Sequence, residues 1–150
     1  MKIAVITDMD LGGSGYKNLT VPILDGLSRN GHKIKVAGLS YKGEEHWWDF
    51  SIILADNLNE SIAIVKNLEH LWNFDVLIVL LDIFLQGDLL KVFQTRNFKY
   101  IGVLPIEAPP LCDDWAMILA QMDKTFIISE FGAKEAQRMG IIDAEHLLGS

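Results

Sequence analysis

Carboxylates, glycines and tryptophans stand in this sequence where they can hold or act on a ligand. Asp8 and Asp10 precede a glycine-rich stretch, Gly12-Gly13-Ser14-Gly15. The backbone N–H groups of such a turn, presented at a helix N-terminus, suit an anion such as a phosphate. The same glycines also serve a loop that needs positive φ, and the residues alone leave both uses open. There is no Gly-Lys-Ser/Thr ending, which argues against a nucleoside-triphosphatase loop. The glycine spacing is not the dinucleotide pattern, and Gly38-Leu39-Ser40 stands where an acidic residue would hold a ribose. Asp82 follows a long apolar run, Glu107 follows Pro105-Ile106, and Ser129 and Glu130 follow a shorter apolar run. Carboxylates at such places act as general bases, metal ligands or hydroxyl acceptors, or simply cap helices.

Trp47-Trp48 is a second chemical feature, with Glu44, Glu45 and His46 beside it. Tryptophan faces stack on sugars and other flat apolar surfaces, while one of such a pair also serves as a core residue. His32 follows a helix-ending glycine and reads as structural. Cys112 is the single cysteine, so no intrachain disulfide forms, and a reducing compartment is the natural reading. No Cys/His grouping has zinc spacing, and no Gly-x-Ser-x-Gly elbow supports a serine hydrolase. Asp8, Asp10 and Asp82 together evoke the magnesium site of a receiver domain. Lys99, however, precedes its strand, whereas that chemistry wants a lysine after it.

These residues need elements to carry them. Lys2–Thr7 is an apolar strand, followed by the glycine turn, a helix running to Gly31, and a second strand over His32–Gly38. That is a βαβ unit, and the turn lies where open α/β sheets bind ligands. Pro22 fits near a helix start, which makes Thr20 the expected N-cap and Gly31 the C′ residue. Residues 40–49 read as a loop and Ser51–Ala55 as a short strand. Asn59 is the expected cap of a helix to Trp72, with Ile62, Val65, Leu68 and Trp72 on one face. Asp75–Asp82 is continuously apolar between its ends and fits a central parallel strand. A helix over Leu85–Thr95, a strand over Tyr100–Leu104 and a helix from Asp113 or Asp114 to Met122 follow. Then come a strand over Thr125–Ile128 and a helix from Ser129 to Gly140. Alternation of strand and helix places the chain in the α/β class with a mostly parallel sheet. Residues 143–150 have no evident partner strand and read as a boundary or tail.

Length and composition bound the function. A chain of 150 residues, half of them hydrophobic, makes one folded domain with a real core, here assigned to 1–142. The formal charge of −7 argues against a nucleic-acid partner and against attachment to anionic lipid by a basic patch. The N-terminus enters a strand directly, with no signal peptide, and the longest apolar run, Val76–Leu81, is too short to span a bilayer.

Three segments carry a family resemblance. Leu27-Ser28-Arg29-Asn30-Gly31-His32-Lys33-Ile34-Lys35-Val36 follows a Gly-Gly turn and resembles the "L-x-x-x-G-H-x-V-x-V" step of GT-B glycosyltransferases. Leu104-Pro105-Ile106-Glu107-Ala108-Pro109-Pro110, continued by Trp115 and Asp123, resembles the "P-[IV]-[DE]-x-P" segment of a retaining branch of that family, the family 4-like enzymes. Ser129-Glu130-Phe131-Gly132-Ala133-Lys134-Glu135-Ala136, then Met139-Gly140, resembles the "S-x-F-x-x-x-E…G" stretch that closes their N-terminal domain.

The resemblance implies a Rossmann-like three-layer sandwich with a twisted, mostly parallel sheet. It implies the acceptor-side half of an enzyme that moves a sugar from a nucleotide-sugar donor to an acceptor. Gly12, Gly13, Ser14 and Gly15 would face the donor phosphates; Glu107, Trp48, Ser129 and Glu130 would face the acceptor. Asp82 stands where many relatives place a histidine and is the catalytic candidate. No metal or bound cofactor is implied for this chain, and the nucleotide sugar is a substrate of the whole enzyme. The donor-binding second domain is the implied partner. The acceptor is a carbohydrate, a lipid or a small molecule, and the exposed inter-domain face would allow a homodimer. The implied setting is cytoplasmic, at the membrane periphery in the whole enzyme. Two other classes remain: a free-standing domain binding a phosphorylated ligand or metal, and a non-enzymatic interaction module.

Overall fold

The computed structural model describes residues 1–9, 15–46, 48–104, 113–127 and 144–146, without the side chains of 15–19, 113–115, 127 and 144–146. These fall into two compact units, residues 1–80 and 81–150. The first runs β1 (Lys2–Asp8), α1 (Gly15–Arg29), β2 (Lys33–Leu39), β3 (Ser51–Ala55), α2 (Leu58–Leu71) and β4 (Val76–Leu80). The second runs α3 (Ile83–Val92), β5 (Lys99–Leu104), α4 (Asp113–Ala120), β6 (Lys124–Ile127) and β7 (Ala144–His146). The chain is α/β and Rossmann-like, with helices flanking parallel strands, as the alternation of elements predicts.

In the first unit, residues 3–7 of β1 are all buried, so the strand needs cover on both faces. It pairs in parallel with β2 on one side (Val5 opposite Val36) and with β4 on the other (Val5 opposite Ile78). β3 pairs in parallel with β2 and forms the edge, giving the order β3-β2-β1-β4. Edge placement explains why Leu54 stays 53% exposed. The steps β1–α1–β2 and β3–α2–β4 run in opposite directions across the strands. Right-handed crossovers therefore put α1 and α2 on opposite faces.

Helix ends follow local chemistry, with two corrections. α1 ends as expected at Gly31, whose φ of 92° suits the C′ position of a Schellman turn. His32 N–H donates to the Leu27 carbonyl and Gly31 N–H to that of Ser28. The start of α1 differs from expectation: Thr20 is not an N-cap but lies inside the helix, fully buried. Pro22 is thus an interior proline, exposed, where the missing hydrogen bond lies on the solvent side. The cap of α2 is Asn57 rather than Asn59. Its Oδ1 accepts from Glu60 N–H at 2.9 Å, while Glu60 Oε2 reaches back to Asp56 N–H at 2.9 Å, a reciprocal arrangement close to a capping box. On α2, Val65 faces the core as expected, joined by the buried Ser61 hydroxyl, which donates to the Leu58 carbonyl.

The step from β2 to β3 is made by residues 40–50, which hold no helix among the described residues. Ser40 takes φ of 63°, and its N–H donates to the Ala55 carbonyl. Gly38 allows the close return: a Cβ there would meet Ile52 Cγ2 at 2.8 Å, Tyr41 Cβ at 3.1 Å and Met9 Cβ at 3.2 Å.

In the second unit β5 pairs in parallel with β6, and β6 with β7. The expectation that 143–150 lacks a partner strand fails at 144–146, which align with Thr125, Phe126 and Ile127 of β6. Three residues of mixed polarity carry no strand periodicity, so only backbone pairing reveals the element. α3 begins two residues earlier than expected because Asp82 caps it. The expected helix over 129–140 lies outside the described residues. No helix among the described residues is long and apolar enough to cross a membrane.

Candidate functional site

The ends of the strands nominate the site. In the first unit, β1 closes at Asp8, and Met9 N–H donates to the Leu39 carbonyl at 2.8 Å, tying the ends of β1 and β2 together. One step inward, Thr7 Oγ1 lies 3.0 Å from Thr20 Oγ1, and both residues are fully buried. A buried hydroxyl needs a partner, and each supplies the other's. This pair joins the strand end to the second turn of α1. Gly15 is the first residue of α1; Gly12, Gly13, Ser14 and Asp10 lie outside the described residues.

The crossover 40–50 carries an aromatic cluster. The Trp48 ring lies 5.5 Å from Phe50 at an interplanar angle of 6° and 5.2 Å from His46 at 23°. The Tyr41 ring meets His46 edge-on at 6.5 Å. Phe50 and Tyr41 are buried; Trp48 and His46 are half-buried. The Tyr41 hydroxyl donates to the Glu44 carbonyl, and Glu44 Oε1 accepts from Lys42 N–H at 2.8 Å. Burial, and secondarily the negative Glu44, push the Tyr41 phenol above its ordinary pKa, so it remains a donor. His46 Nδ1 is buried and has no hydrogen-bond partner among the described residues. Sequence reasoning singled out Trp48 and His46; the structure brings the two together as neighbours in a stack. Trp47 lies outside the described residues.

In the second unit Asp82 is exposed and caps α3, its Oδ1 accepting from Leu85 N–H at 3.0 Å. One carboxylate oxygen therefore has a structural role. Glu107, Ser129 and Glu130 lie outside the described residues.

A neighbouring polar network was not foreseen. Gln86, fully buried on α3, donates from Nε2 to the carbonyls of Leu81 at 3.0 Å and Val103 at 3.1 Å. Its Oε1 accepts from the Tyr100 hydroxyl at 2.9 Å. Gly102 gives this network room, since a Cβ there would meet Gln86 Oε1 at 2.9 Å and crowd Met122. Burial raises the Tyr100 phenol far above its ordinary pKa, against a smaller opposing effect of Arg96, so it stays protonated as a donor. The only trace in the sequence is a glutamine within an otherwise apolar helix start. Among the described residues no group of three His, Cys, Asp or Glu side chains is placed to hold a metal ion.

No family model matches the sequence, and no curated protein matches it.

Proposed function

We propose that this chain is the acceptor-side half of a retaining, nucleotide-sugar-dependent glycosyltransferase of the GT-B kind. The observation that carries the reading is the junction of β1 and α1. The helix starts at Gly15, at the end of the Gly12-Gly13-Ser14 stretch, and the buried Thr7–Thr20 pair holds it against the strand end. A helix starting there turns its free N–H groups and the positive end of its dipole toward the region beyond the strand. That environment suits a donor diphosphate, whose charge grows as the sugar departs. The three ordered sequence segments add the family character.

In this reading Gly12, Gly13, Ser14 and Gly15 let the backbone approach the donor phosphates. Trp48, held by its stack with His46 and Phe50, offers an indole to the acceptor, with Glu107, Ser129 and Glu130 as hydroxyl partners. The acceptor is a carbohydrate, a lipid or a small molecule. Asp82 orients polar groups at the reacting end while its other oxygen caps α3. The donor-binding domain is a partner that this chain needs for turnover, in a cytoplasmic setting at the membrane periphery. The test is direct: this chain alone, given nucleotide sugars, shows negligible transfer. Robust turnover by the isolated chain would refute the proposal. The reading frame beyond Ser150 offers a second check, since the reading requires a further α/β domain with two glutamates near a helix start.

A second reading, an interaction module, is favoured by two large apolar side chains on the second unit, Phe84 at 65% and Met117 at 66% exposure. Light scattering tests this second reading. A stable dimer lost in Met117→Ser supports the module; a monomer counts against it.

A further inference from the structure

At the amino ends of β5 and β6, within the second unit, lies an open cavity of about 530 Å³. It is away from the carboxyl ends of the strands, where the proposed transferase chemistry sits. The volume falls in the range of small-molecule sites, on the order of 300–1,000 Å³. Arg96 and Asp123 form its rigid part. Arg96 Nη1 donates to the Phe93 carbonyl at 2.8 Å, and Nη2 donates to the Gln121 carbonyl at 2.8 Å and to Asp123 Oδ2 at 3.1 Å. The guanidinium thus answers the carbonyls at the ends of α3 and α4, where a cation is favoured. Asp123 Oδ2 also accepts from Tyr100 N–H at 2.7 Å.

This arrangement decides the chemistry of a ligand. The Arg96 charge is offset by Asp123 and by two helix ends, and among the described lining residues the further cation is Lys99, which is exposed and screened by solvent. Little net field is left to select an ion. What remains is hydrogen-bonding capacity. The side-chain amides of Gln94 and Asn97 make no hydrogen bond among the described residues, and Gln121 uses only its Nε2, donating to the Met117 carbonyl. A planar amide offers donors and an acceptor side by side, which matches a pair of adjacent hydroxyls. Lys99 adds three more donors, and the largely buried Phe98 contributes apolar lining.

We propose that this cavity is a second, non-catalytic binding site for a neutral polyhydroxylated ligand, a mono- or disaccharide, recognised by Gln94, Asn97 and Gln121. The open mouth leaves one side of the sugar hydrated, so binding is weak and reversible. The inference does not depend on the proposed transferase reading.

The experiment is amide-resolved NMR of the whole chain, titrated at constant ionic strength with D-glucose, maltose and, separately, inorganic phosphate. The expected result is saturable shifts with the sugars, confined to residues 94–99 and 121–123, and none with phosphate. The exposed pair of substitutions Gln94→Ala and Asn97→Ala should weaken sugar binding about tenfold, the loss of one or two good hydrogen bonds. Its melting temperature should be unchanged, which separates lost binding from lost fold. Tighter binding of phosphate, sugar shifts that survive the double substitution, or no saturable shift at all would overturn the proposal. Sugar shifts confined to residues 41–50 would also overturn it while leaving the proposed acceptor role of Trp48 intact.

Discussion

In residues 1–80 the central strand β1 is held by apolar side chains on both faces, and the buried polar contact beside it is one hydroxyl pair, Thr7–Thr20. In residues 81–150 the corresponding strand β5 also buries apolar side chains, Val103 and Leu104 among them, but adds directional polar contacts. Gln86 ties it to the α3 helix through Tyr100 and the Val103 carbonyl, and Asp123 ties its second residue, Tyr100, to Arg96. Apolar burial is non-directional and tolerates small changes of shape. A buried hydrogen-bond network is rigid when complete and costly when one member is lost. The two units therefore ought to respond differently to substitutions of similar size.

The largest effect tests that difference outright. Gln86→Leu keeps the volume but strands the carbonyls of Leu81 and Val103 and the Tyr100 hydroxyl. At about 1–3 kcal/mol for each unsatisfied group, partly relieved by relaxation, the loss should be roughly 3–5 kcal/mol in urea unfolding. Ile6→Val in β1, equally conservative, should lose only about 0.5–1.5 kcal/mol. Equal losses would break the comparison. Next in size is Gly38→Ala, which forces Ile52, Tyr41 and Met9 aside and should cost about 1–3 kcal/mol. Because Tyr41 carries the aromatic cluster, the same variant should also shift the Trp48 fluorescence if the two features are coupled.

The smallest effect is a pH dependence. Burial alone would raise the Asp123 carboxyl, but the Tyr100 N–H, the Arg96 guanidinium and the charge of Lys99 outweigh it and hold the carboxyl below its ordinary pKa. A depressed carboxyl contributes stability above its unfolded pKa, about 3.9, and loses it as pH falls through the folded value. Asp123→Asn should therefore lower stability at pH 7 by less than about 1 kcal/mol, since the pair is partly exposed. It should also flatten the acid limb below about pH 4. An unchanged acid limb would show that the Arg96–Asp123 contact carries no ionic stabilisation.

The comparison also explains what could be read in advance. In β1 and β4 the apolar runs extend along both faces, so strand type and parallel pairing follow directly. The Schellman end at Gly31 was equally legible, because glycine is the residue that takes positive φ without strain. The caps were legible as residue types but not as positions: Asn57 and Asn59 are equivalent in composition, and only the reach of Glu60 back to Asp56 selects the first. Gln86 and Tyr100 could not be paired from spacing, since they are separated in sequence by a loop whose path nothing local dictates. At the candidate site, the neighbourhood of His46, Trp48 and Phe50 was half visible as a local cluster, while the buried Thr7–Thr20 contact needed the helix to pass over the strand.

By itself, the sequence determined the α/β class, the order of elements from β1 to β6 and the strands that run through the core, because hydrophobic periodicity is a local property. It also determined which chemical groups are on hand: the glycine-rich stretch, the carboxylates that follow apolar runs and the aromatic residues between β2 and β3. Only the tertiary structure decided which of these groups have structural partners. Asp82 caps its own helix through Leu85, a local contact among the several uses its residue type allowed, whereas Thr20 meets Thr7 and Arg96 reaches Gln121 and Asp123 because those partnerships satisfy buried or terminal polar groups across a distance that chain order does not encode.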